Sequence, residues 1–73
     1  MRSTEIIAYQ LENDGICRFV YHKSIESLEV VSVDNYLGMR DFLKRSGGQQ
    51  LPNNKDIHKW AKEMETQLSV AVH

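Results

Sequence analysis

The tripeptide Asn13-Asp14-Gly15 lies between two runs of strand-forming residues, Thr4 to Leu11 and Ile16 to His22, and it constrains the fold more than any other feature. A three-residue loop that ends with glycine in the left-handed region is a common closure of an antiparallel hairpin. It sets Leu11 opposite Cys17, Tyr9 opposite Phe19 and Ile7 opposite Tyr21, so these six side chains share one face. The reverse face then carries Ile6, Ala8, Gln10, Arg18, Val20 and His22. A two-residue Asp14-Gly15 closure would slip the register by one residue and scramble this division of faces.

Lys23 to Ser27 is short and polar, and Leu28 to Val33 is β-branched enough to return as a third antiparallel strand. The competing reading of residues 24–31 is a short helix capped by Ser24, against which Val30, Val31 and Val33 argue. Asp34 is a candidate N-cap, and Gly47-Gly48 a left-handed C-cap, for a first helix over Asn35 to Ser46. At about 100° per residue its core-facing arc is Tyr36, Met39, Phe42 and Leu43, with Leu37 outside the arc between Arg40 and Lys44. Gln49 to Pro52 reads as a connector. A second helix starts at Asn53 or Asn54 and places Ile57, Trp60, Ala61, Met64 and Leu68, then Ala71 and Val72, in one apolar stripe opposite Lys55, Lys59 and Lys62.

Together these elements predict a single α+β domain over residues 1–73: a three-stranded antiparallel β-meander followed by two α-helices packed on one sheet face, the face of Ile7, Tyr9, Phe19 and Tyr21, with Trp60 near the core centre. With 41% apolar and 26% charged residues the chain has the composition of a folded protein. A chain of 73 residues buries only about 60% of its unfolded surface, and a lone cysteine forms no internal disulfide. Oligomerisation is the remaining source of burial. The reverse sheet face, with Ile6, Ala8 and Val20 and then Leu28 and Val30, predicts a homodimer interface.

Catalytic and metal chemistry find little support. Cys17 and His22 are the nearest nucleophile and base, yet an odd separation along a strand puts them on opposite faces about 17 Å apart. Cys17 reads as a small core residue. The histidines at 22, 58 and 73 show no metal-ligand spacing, Glu63 and Glu65 read as surface charges, and Ser46-Gly47-Gly48 follows a helix instead of preceding one, as a phosphate cradle would. No enzymatic activity, metal or cofactor is expected. No apolar run approaches about 18 residues and no leader pattern opens the chain, so no membrane association is expected, and a single cysteine fits a reducing, cytoplasmic setting.

A net charge of -1 gives no global attraction to nucleic acid. Residues 1–34 carry three basic and six acidic groups, residues 35–73 six basic and four acidic. If the two helices lie side by side, Arg40, Lys44, Arg45, Lys55, Lys59 and Lys62 form one basic surface, which is the case for a small nucleic-acid-binding regulator. Asp56 and Glu63 interrupt that surface, and the preferred reading is a non-enzymatic protein-binding or regulatory module. Its predicted contact is Leu37 flanked by Arg40 and Lys44, an apolar group between two cations that suits an acidic protein partner with an apolar anchor.

Overall fold

Strand β1 (Ile6–Leu11) turns back into β2 (Ile16–Ser24) with Leu11 opposite Cys17 and Tyr9 opposite Phe19, the register of the three-residue closure. The structure is a computed structural model describing residues 5–12, 14–34 and 37–72, and of Leu37 and residues 69–72 the backbone alone. Gly15 takes φ +88°, which favours glycine, and Asp14 Oδ1 accepts the Ile16 amide at 3.1 Å. Strand β3 (Ser27–Asp34) follows the turn at Ile25 and Glu26 and pairs antiparallel with β2 along its length, so residues 27–34 are strand and not helix.

A second strand pairing extends the sheet beyond the predicted meander. After helix α1 (Leu37–Lys44), the pair Gln49–Gln50 forms β4, parallel to β1, and gives a mixed sheet of order β3-β2-β1-β4. Two residues are too few to leave a sequence pattern. The pairing depends on Gly48: a Cβ there would meet Ile6 O at 3.0 Å and Ala8 N at 3.3 Å. Ile6 and Ala8 flank an irregularity of β1 that sets Ile6, not Ile7, opposite Tyr21. The extra residue reverses the alternation, so Ile6 packs with Tyr9 while Ile7 packs with the cluster of Ala8, against the predicted assignment of this pair.

Helix α2 (Ile57–Val72) is capped by Asp56, whose Oδ1 accepts the Lys59 amide at 3.1 Å. Its stripe of Ile57, Trp60, Ala61, Met64 and Leu68 packs with Ala8, Val20, Leu28 and Leu51. Leu43 and Met39 of α1 pack instead with Ile6, Tyr9, Leu11 and Cys17. Successive strand residues point to opposite faces, so the helices cover opposite sides of the sheet, correcting the expectation of both on one face. Each face of the sheet thereby acquires its own apolar cluster. Trp60 is partly buried at the margin of its cluster, whereas Ala8, Cys17, Val20 and Leu43 are fully covered. Burying a leucine such as Leu43 contributes about 1.5–3 kcal/mol. The assignments to Thr4, Asn13, Asn35, Tyr36 and the side chains of Ala71 and Val72 lie outside the described residues. No helix among the described residues is long and apolar enough to cross a membrane.

Candidate protein-binding surface on the first helix

Helix α1 has three distinct sides. Leu43 is entirely buried and Met39, one turn earlier, is partly so, which defines the line that docks on the sheet. Phe42 lies about 100° around the helix from Leu43 and is 50% exposed, although its spacing had placed it in the core-facing arc. The eight-residue α1 is too short to roof the whole face. On the Phe42 flank an open apolar hollow of about 360 Å³ remains, lined by Ile6, Phe19, Tyr21, Val31 and Phe42. Phe19 and Tyr21 meet in a tilted arrangement with ring centroids 6.3 Å apart. Tyr21 Oη donates to Glu29 Oε1 at 2.9 Å, which fixes the phenol at the rim. That bond, with burial and the Glu29 charge behind it, raises the Tyr21 pKa.

Arg40 and Lys44 fall on the other flank of α1, one turn apart, with Arg40 partly buried and Lys44 exposed. Burial pushes the Cys17 thiol up, opposed in smaller part by the Arg40 charge. Cys17 is fully buried in the second cluster, consistent with its reading as a core residue. Leu37 opens α1, but its side chain lies outside the described ones. The structure therefore puts two of the three predicted contact residues on one flank and adds, on the other, a hollow that the sequence pattern concealed.

The predicted dimer patch is placed differently. Ala8 and Val20 have no exposed surface, because α2 packs over them, and Ile6 is buried on the opposite face. The open apolar face that motivated a dimer through Ile6, Ala8 and Val20 is therefore occupied by the chain itself. The six cations are likewise divided, Arg40, Lys44 and Arg45 being on or just after α1, and Lys55, Lys59 and Lys62 on or just before α2 across the sheet. The single basic surface expected from adjacent helices does not form. Among the described residues no group of three or more His, Cys, Asp or Glu side chains is arranged to hold a metal ion.

Two polar side chains have structural roles that their residue types did not announce. Gln10 is 1% exposed, and its Nε2 donates to Pro52 O and Lys55 O, each at 2.7 Å, pinning the turn before α2 to the sheet. Glu65, which reads as a surface charge, accepts the Leu28 amide through Oε2 at 2.7 Å and ties α2 to the outer strand. No family model, curated protein or solved structure matches this chain.

Proposed function

We propose that the chain is a small non-enzymatic module that binds another protein through α1. The partner places an apolar side chain in the hollow beside Phe42, while Arg40 and Lys44, on the other flank, meet carboxylates of the same partner. The observation supporting this reading is that Phe42 stays half exposed beside an open apolar hollow while its neighbour Leu43 is completely buried. Folding alone gains little from such a placement, whereas an aromatic side chain at the lip of a hollow is the usual anchor of a protein interface. The basic flank adds encounter rate and selectivity for an acidic surface.

The test is capture of a stoichiometric protein partner from the source cell with the native chain, Phe42→Asp and the double variant Arg40→Glu with Lys44→Glu. Because Phe42 is half exposed, Phe42→Asp should unfold within a few degrees of the native chain yet reduce capture more than about tenfold. The charge variant should weaken capture and remove most of its salt dependence. Equal capture by the native chain and Phe42→Asp would overturn the reading. So would recovery of nucleic acid lost only in Lys59→Glu with Lys62→Glu.

A further inference from the structure

We propose that β3 is a self-pairing edge, through which two copies of this chain join their sheets antiparallel about a two-fold axis at Ser32. Among the described residues no strand lies beyond β3 in the sheet order. The Glu12 amide donates to Ile16 O at 2.9 Å, so Ile16, Arg18 and Val20 turn their backbone groups to β1, Cys17, Phe19 and Tyr21 turn theirs to β3, and their partners Val33, Val31 and Glu29 direct backbone groups towards β2. The backbone groups of Leu28, Val30, Ser32 and Asp34 then point outward. The Leu28 amide confirms this parity, since it donates away from the sheet to Glu65.

Glu65 also selects the register. In an antiparallel pair, outward residues must face outward residues, which leaves pairings centred on Val30, Val31 or Ser32. The first two need the Leu28 amide, which Glu65 already holds, and the Val31-centred pairing further sets Asp34 of the second copy beside the Glu65 carboxylate. The Ser32-centred pairing avoids Leu28. It faces Val30 with Asp34 of the second copy and Ser32 with its own equivalent, and no two like charges are opposed.

Lys62 on this edge and the exposed Asp34 at the end of the same strand point to a second copy as the occupant. A groove of about 320 Å³ runs between β3 and α2, lined by Leu28, Val30, His58 and Lys62 together with the carboxylates of Glu29 and Glu65, which already accept from the Tyr21 hydroxyl and the Leu28 amide. Asp34 of the second copy, opposite Val30, enters this groove at Lys62 and His58, and the two-fold axis repeats the contact. On the other face of the sheet, Val31 stands opposite Val33 of the second copy, and both valines are only partly covered in the single chain. The edge thus offers backbone bonds, an ion pair and apolar burial to its own sequence.

Sedimentation equilibrium of the full chain at about 10–100 micromolar should report twice 8.5 kDa. Ser32→Pro deletes an outward donor and spares the ladder to β2, so it should keep the native circular dichroism and weaken association about tenfold or more. Asp34→Lys, at an exposed position, should weaken it by a similar factor, and adding Lys62→Glu should restore it. A native chain that stays at 8.5 kDa overturns the proposal. A dimer indifferent to both Asp34→Lys and the charge exchange does the same, whether or not Ser32→Pro folds.

Discussion

Replacing Gln10 by a glutamate keeps the shape of the side chain and inverts its chemistry. The Gln10 amide is 1% exposed and gives two hydrogen bonds of 2.7 Å to Pro52 O and Lys55 O. Both partners are carbonyls and accept only, so an ionised carboxylate in the same place offers them no hydrogen and repels them. Two bonds worth about 0.5–1.5 kcal/mol each are lost, and burying the unpaired carboxylate costs about 1–3 kcal/mol more. Pro52 and Lys55 are themselves exposed, so water can reach the released carbonyls and the sum falls at about 2–4 kcal/mol. A 73-residue chain has a total stability of about 4–11 kcal/mol, so Gln10→Glu removes a large share of it. The penalty should depend on pH. Burial beside two carbonyls raises the folded-state pKa of the introduced carboxyl above its unfolded value, so both states are protonated well below about pH 4 and the charge penalty is absent there. It grows as pH rises from the unfolded to the folded pKa. Urea unfolding followed by circular dichroism at about pH 3.5 and pH 7, with Gln10→Met as an uncharged reference, measures it. A deficit under about 1 kcal/mol at pH 7, or one relative to Gln10→Met that does not shrink in acid, would refute the role assigned to this amide.

Gly48→Ala should lower the melting temperature by about 4–8 °C, a net loss of about 1 kcal/mol, because the new Cβ meets Ile6 O at 3.0 Å and outweighs the entropy gained in the unfolded chain. A raised melting temperature would show that β4 and β1 can move apart without loss. Tyr21 should ionise later than an unperturbed tyrosine in an ultraviolet titration, since its hydroxyl donates to Glu29. With the folded pKa raised, the stability advantage over Tyr21→Phe is fully present below the ordinary tyrosine range and disappears as pH climbs through the folded value. An advantage unchanged through that alkaline range would contradict the bond.

Local signals in the chain were enough for the elements themselves. Asn13-Asp14-Gly15 specified the hairpin and its closing register, Leu11 opposite Cys17, because turn geometry dictates which residues face each other. The valines of β3 and the apolar stripe of α2 were legible for the same reason: periods of two and 3.6 are properties of consecutive residues. Which face each helix would cover was not, because a sheet with apolar side chains on both faces accepts a helix on either. That choice, made in three dimensions, buried Ala8 and Val20 beneath α2, left α1 alone on the other face, and kept Phe42 half exposed on its flank beside an open hollow. The exchange of Ile6 and Ile7 needed the β1 irregularity and the approach of Gly48, a residue distant in the sequence. Gln10 and Glu65 carry ordinary surface chemistry in the sequence. Only the folded chain decides that a distant carbonyl or amide waits opposite each, because hydrogen-bond partners far apart along the chain leave no local trace.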